Sequence, residues 1–266
     1  MLKTRFLTAV VMATAGLGLL FALPPAWFAL AAAIVLLGLG GREAGRLAGL
    51  PKPAHWLMFA AALMLIAVSL HRFLTPANYM AAVGFAAASW LALLLWLRAP
   101  HFGRTLRGLK LAALGVILLG AWLSVSLLQS HSPWLVLLVV SIIAAADIGA
   151  YFSGRAIGGT KLAPSISPGK TRAGALGGLF AATAVSGVAA FAFPGLAFSP
   201  SLAAAVGLVL AAVSIGGDLL ISLFKRQQGL KDSSSLLPGH GGLLDRFDSL
   251  GAALPFFALA WLWWAQ

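Results

Sequence analysis

The sequence predicts an all-α polytopic membrane protein of about nine transmembrane helices, on three observations. Of its 266 residues, 61% are hydrophobic and only 9% are charged, whereas a soluble domain is about 25% charged. Apolar runs of membrane-crossing length recur along the whole chain. The basic residues fall into alternate loops between those runs.

A bilayer core needs about 20 apolar residues per helix. Segments near 6–23, 25–41, 56–70, 79–97, 110–129, 133–152, 173–194, 201–224 and 249–265 meet or approach that length. The third is short, and it could be re-entrant. The runs are continuous rather than alternating, unlike the strands of a membrane barrel. Open sheets cannot span lipid, because their edges would go unpaired. The first segment also has a second reading, a signal peptide with Lys3 and Arg5 as its basic region and Ala22 to Ala26 as a cleavage zone.

The chain has 18 lysines and arginines. All except Arg72 lie at the N-terminus or in the loops after spans two, four, six and eight. The positive-inside rule puts that side in the cytoplasm, with the N-terminus inside and the C-terminus outside. The expected location is the cell inner (plasma) membrane, multi-pass. The net charge of +12 thus has a topological origin and does not call for nucleic acid. No cysteine is present, which excludes disulfides, thiolate metal sites and a cysteine nucleophile. Residues 1–130 are read as N-terminal membrane helices of about five spans. Residues 131–266 are read as a catalytic membrane region of about four spans. The outer loops are too short for a site, whereas inner loops 154–172 and 225–248 are long and polar. No internal repeat is visible, so an inverted-repeat transporter has no support.

The chain has six acidic residues: Glu43, Asp147, Asp218, Asp232, Asp245 and Asp248. Asp147 and Asp218 are embedded in apolar sequence, where an aspartate costs about 2.5–3.5 kcal/mol at a helix centre. An ion pair would offset that cost, and so would a metal or proton site. Asp218, Ser222 and Lys225 share one helical face at i, i+4 and i+7. Asp245 and Asp248 share another at i, i+3. A hairpin of spans eight and nine would bring three carboxylates and a hydroxyl together. Hard oxygen ligands of this kind suit Mg²⁺, which uses one or two carboxylates plus substrate phosphates. The number of cations is left open. Lys225, Arg226, Lys231 and Arg246 are interleaved with these acids and could neutralise phosphate charge. The run Pro238-Gly239-His240-Gly241-Gly242 gives a turn with little side-chain bulk, whose amides could approach phosphate. Gly169-Lys170-Thr171 ends like a P-loop, but Pro164 stands where the first glycine is needed. Asp147 is expected to pair with Arg155 or another base, or to join the outer part of the site. Glu43, between Arg42 and Arg46, reads as a solvated or locally paired cluster. Gly174 and Gly178 could pack helices within or between chains, so a homodimer is left open.

The segment from Ser222 to Asp248 resembles the signature of the phosphatidate cytidylyltransferase (CDP-diacylglycerol synthase) family. The matching residues are Ser222, Lys225-Arg226, Lys231-Asp232, Pro238 through Gly242 and Asp245-Arg246-Phe247-Asp248. Gly217-Asp218, Asp147 through Tyr151, Gly154-Arg155, Lys161 through Pro164 and Ser167 through Thr171 are also similar to that family. The sequence departs from the family's common pattern at Arg172-Ala173, Ile221 and Ser234-Ser235. The resemblance implies transfer of a cytidylyl group from CTP to phosphatidate, a membrane lipid, giving CDP-diacylglycerol and pyrophosphate. It implies Asp218, Asp245 and Asp248 as metal-binding acids, with Ser222 beside them. Lys225, Lys231 and Asp245 would be catalytic. Arg226, Asp232, His240, Arg246, Lys161 and Lys170 would bind substrate, with Asp232 and His240 alternatively ordering the loop. Related CTP-dependent lipid enzymes, a polyprenol kinase or a CDP-archaeol synthase, are the runners-up, and a transporter is the distant third.

Overall fold

The computed structural model describes residues 2–192 and 198–264. Among the described residues there are ten α-helices: α1 Leu2–Ala22, α2 Pro25–Ala33, α3 Gly40–Leu47, α4 Pro53–Phe73, α5 Pro76–Leu94, α6 Arg107–His131, α7 Pro133–Ile157, α8 Arg172–Ala192, α9 Pro200–Gln227 and α10 Leu244–Trp264. A π-helical segment, Ile34–Leu39, joins α2 to α3 into one crossing, Pro25–Leu47. Among the described residues, eight helices are long and apolar enough to cross a membrane, and Phe6–Ala22 within α1 is a shorter apolar stretch.

Several helix ends differ from the sequence expectation. The third span is a full helix of 21 residues, long enough to cross rather than re-enter. The seventh expected span reached 194, and its last two residues lie outside the described part, as do residues 194–197 of the outer loop Pro194–Ser201 and residue 265 of the ninth span. α7 runs on to Ile157 and α9 to Gln227, so Gly154-Arg155 and Lys225-Arg226 are helical rather than in loops. α10 begins at Leu244, so Asp245 and Asp248 lie inside it. Hydropathy marks where a helix is apolar, but hydrogen bonds decide where it stops. The loop after α7 also contains a short antiparallel hairpin, β1 Lys161–Ala163 and β2 Ser167–Thr171, with Lys161 opposite Thr171.

Small residues set the helix spacing. A methyl group on Gly178 of α8 would stand 2.8 Å from the Ala146 carbonyl oxygen of α7, and one on Gly174 would stand 2.9 Å from that of Ala150. The Gly174/Gly178 pair therefore packs helices within this chain. Gly207 of α9 lies equally close to Ala182 of α8. With no hydrophobic drive between helices in lipid, close backbone approach and dispersion hold such a bundle. The outer face stays apolar: Phe180 and Phe191 on α8 are 77% and 76% exposed, as a lipid-facing surface requires.

The basic loops gather at one end of the bundle. The Arg226 Nε donates to the Ile166 carbonyl, Arg46 Nη1 to the Ser233 carbonyl, and Gln227 Nε2 to the carbonyls of Pro100 and Phe102. At the opposite end, Gln129 Nε2 donates to the Leu20 and Leu23 carbonyls, and Phe21 stacks edge-on to Trp134.

Candidate active site

α9 and α10 form an antiparallel pair whose crossing fixes the centre of the site. A methyl group on Gly217 would stand 2.6 Å from both the Asp248 carbonyl oxygen and the Ala252 Cβ. Asp218 follows Gly217, so this crossing brings Asp218 and Asp248 onto facing helices. Both line a polar cavity of about 360 Å³, together with Asp147, Asp232, Asp245, Lys225 and Arg246. A second cavity of about 430 Å³ adjoins it through Asp147, Asp218 and Ser249, and extends past Tyr151, Arg155, Lys170 and Thr171.

The sequence placed Asp218, Ser222 and Lys225 on one face, and they lie so. Ser222 Oγ donates to Asp218 Oδ1 at 3.2 Å. Lys170, from β2, forms an ion pair with Asp218 Oδ2. Lys225 is buried, and its Nζ donates to Asp245 Oδ1 at 2.6 Å. Asp248 Oδ1 accepts from the Ser249 amide at 2.7 Å.

Asp245 differs from the other two signature acids. Its Oδ2 accepts from the Ser233 amide at 2.8 Å, the Ser233 hydroxyl at 3.0 Å and the Gly242 amide at 2.8 Å. With Lys225 on Oδ1, it accepts four hydrogen bonds, against one hydrogen bond and one ion pair at Asp218 and one hydrogen bond at Asp248. Asp245 thus folds the loop 228–243 onto the start of α10. Among the described residues, no three His, Asp or Glu side chains gather tightly enough to ligate one ion. Asp218 and Asp248, facing one cavity, form a two-carboxylate set. Such a set, completed by substrate phosphates, is how Mg²⁺ is usually held, so the donors fit a hard divalent cation.

Glu43 is the residue that sequence reasoning misjudged. It is 4% exposed rather than solvated, and it pairs with neither neighbouring arginine. Its Oε1 accepts from Ser234 Oγ at 2.6 Å and the Leu243 amide at 2.9 Å. Its Oε2 accepts from Ser233 Oγ at 2.8 Å and the Leu244 amide at 2.9 Å. The opening amides of a helix have no partner within it, and a carboxylate there is favoured by the helix dipole. Glu43 supplies this cap from α3. The signal in the sequence was that Glu43 is the only acid before Asp147.

The glycines of the signature follow from these bonds. Gly241 has φ 81°, in the left-handed region that side chains avoid. A methyl group on Gly242 would stand 2.6 Å from both Glu43 carboxylate oxygens. The Gly242 amide is directed at Asp245, and the His240 amide at the Leu237 carbonyl. These two amides therefore close the loop, where the sequence suggested a phosphate cradle.

The remaining expected residues separate into two groups. Asp232 and Arg246 line the polar cavity, and Arg246 Nε also donates to the His240 carbonyl at 3.0 Å. Arg226 binds backbone carbonyls of both inner loops. Lys161 and Lys231 are exposed and line neither cavity. Arg155 donates to the Tyr151 hydroxyl at 2.9 Å rather than to Asp147. Asp147 instead forms part of the wall shared by the two cavities.

Comparison with known proteins agrees with this geometry. The profile of the cytidylyltransferase family matches residues 3–263, and so reaches the first five spans as well as the signature. A phosphatidate cytidylyltransferase of Pseudomonas aeruginosa is 43% identical over 99% of this chain and 97% of its own. One from Haemophilus influenzae is 38% identical over 97% and 98%. One from Brucella suis is 49% identical over 49% of each chain. A membrane-spanning helical bundle, an acidic cavity at the crossing of α9 and α10, and a family match along the whole chain agree: this protein belongs to the cytidylyltransferase family.

Proposed function

We propose that the protein transfers a cytidylyl group from CTP to phosphatidate, giving CDP-diacylglycerol and pyrophosphate. The observation that carries this reading is the polar cavity itself. Five aspartates and two bases line it, at the end of the bundle where the basic loops meet. The full-length relatives named phosphatidate cytidylyltransferase support the same reaction.

The chemistry asks little of an acid–base group. A phosphate monoester has a second pKa of about 6 and is already a competent nucleophile near neutral pH. Its oxygen attacks the α-phosphorus of CTP, the bond from that phosphorus to the bridging oxygen breaks, and pyrophosphate leaves. The protein's part is alignment and charge neutralisation. Lys225 and Arg246 face the phosphates from the cavity wall, and Lys170 reaches in from the neighbouring cavity. Asp218 and Asp248 would hold a divalent cation, Mg²⁺ in this reading, which would draw electron density from the bridging phosphate oxygens. Asp245 holds Lys225 in place. Lys161 and Lys231, standing outside the cavity, would act only on an incoming polyanion.

The site is assigned to the cytoplasmic face of the inner membrane. Support comes from the basic loops gathered at the end of the bundle that carries it, since such loops stay inside.

Four outcomes follow. With α-labelled CTP, phosphatidate and Mg²⁺, the purified protein moves the label into lipid and releases pyrophosphate; label recovered in CDP would instead mark a kinase. In the same assay Asp248→Asn lowers turnover by about a thousandfold, the equivalent of about 4 kcal/mol, at unchanged expression. Near-normal turnover would remove Asp248 from the cation site. Glu43→Ala leaves the Ser234 hydroxyl and the Leu243 and Leu244 amides without their partner, while Ser233 Oγ keeps Asp245, at about 1–3 kcal/mol for each donor that water cannot reach. It therefore melts several degrees lower in detergent and turns over about tenfold more slowly, and wild-type values for both would show that the loop holds without it. Because the chain has no cysteine, a single Ser235→Cys variant reports sidedness. A membrane-impermeant maleimide should label it in inverted vesicles and not in right-side-out ones, and the reverse pattern would invert the assigned topology.

A further inference from the structure

A third cavity, apolar and of about 500 Å³, lies between α1, α2, α7 and α10. Nothing in the reaction above uses it. It runs directly up to the polar cavity. Leu250 lines both, and on α10 the polar cavity takes Arg246 while the groove takes Phe247. On α7 the groove takes Val136 and Val140, and the polar cavity continues with Ile143 and Asp147. These four stand at successive intervals of four, three and four residues, so they form one stripe along a helix face.

The dimensions suit one leaflet. At about 1.5 Å per residue, Val136 to Asp147 spans about 16 Å. That is about half of a hydrocarbon core of about 30 Å. The wall opposite α7 is held at both ends. Thr8 Oγ1 donates to the Pro238 carbonyl, and Gln129 binds the Leu20 and Leu23 carbonyls. Between these points the small residues Ala13 and Gly16 line the groove, and a methyl group on Gly16 would meet nothing within 4 Å.

We infer that this groove receives one acyl chain of the lipid substrate while the lipid phosphate lies in the polar cavity. The inference rests on the reading of the protein as a phosphatidate cytidylyltransferase. It goes further in assigning the non-reacting half of the substrate to a bound position. An amphiphile with a phosphate head and an apolar tail matches a polar cavity opening into an apolar groove. A bulk phospholipid, whose phosphate is a diester carrying a further head group, has no phosphate monoester to place in the polar cavity and would match the groove alone. A held chain fixes the phosphate relative to α10, so chain binding contributes to alignment of the nucleophile.

The test fills the groove. Gly16→Phe places a ring in it, whereas Gly18→Phe, also with open space around it, does not face it. Each variant is assayed with palmitoyl and with butyryl phosphatidate. Gly16→Phe should raise KM for the palmitoyl lipid about tenfold, the equivalent of about two methylenes left unburied. KM for the butyryl lipid and for CTP should stay unchanged, as should all constants of Gly18→Phe. Equal effects on both lipids, no effect on either, or the same effect from Gly18→Phe would overturn the inference. A second measurement needs no turnover. Phosphatidate with a photoreactive group on its acyl chain should label peptides around Gly16 or Val140, and unlabelled phosphatidate but not phosphatidylcholine should suppress the labelling. Equal suppression by both lipids, or labelling elsewhere, would show a general lipid-facing surface. Wild-type turnover of either phosphatidate checks the catalytic reading separately.

Discussion

The carboxylate of Glu43 is the constraint on which the site depends. It is buried in the middle of α3 and accepts four hydrogen bonds from the loop before α10 and the first residue of that helix. Two of them come from the opening amides of α10. An uncompensated charge in such a place would be costly, but four donors satisfy this one. Ser233 Oγ is shared with Asp245, and Asp245 in turn holds Lys225 of α9. One chain of hydrogen bonds therefore links α3, the loop, α10 and α9. A chain of this kind is stiff when every member is satisfied.

That linkage explains why the loop can be rich in glycine and serine and still present a fixed wall. Glycine loops lose much conformational entropy on ordering. Here, Glu43 and Asp245 supply the compensating bonds, and the glycines provide the room those bonds need. Gly241 and Gly242 lie against the two carboxylates themselves. The same economy appears at the helix crossings. Gly217 lets α9 and α10 approach until Asp218 and Asp248 share a cavity, and no larger residue would permit it.

Much of this was legible in the sequence because it depends on short-range periodicity. Span count, the clustering of basic loops at one end and the shared face of Asp218, Ser222 and Lys225 all follow from residues a few positions apart. Glu43 was not legible, since its partners lie about 190 positions away and Arg42 and Arg46 offered a nearer explanation. The burial of Lys225 and the approach of Lys170 to Asp218 also depend on how distant segments fold together. The start of α10 was misplaced for the same reason: its cap comes from another helix, so no local capping residue marks it. Asp245 and Asp248 looked equivalent at i, i+3, and both line the cavity; only the surrounding donors distinguish the one that also holds the loop.

The charges of the cavity bear on how substrates enter. Five aspartates and two bases line it, and Lys170 adds a charge from the neighbouring cavity. Two of the aspartates are already paired with lysines, Asp218 with Lys170 and Asp245 with Lys225. The balance is still acidic, while both proposed substrates are anions; a phosphate monoester alone carries about −1.5 to −2. Like charges at such separations repel strongly in a partly buried site, by about 4 kcal/mol at 4 Å for an effective dielectric of 20. Bound polyanions would therefore need accompanying cations, which Asp218 and Asp248 would hold, and Lys170 would have a phosphate as an alternative partner to Asp218. On this argument the acids do not attract the nucleotide. They would admit it only with its counterions, so that in the proposed reaction nucleotide binding and assembly of the charge-neutralising site would become one event.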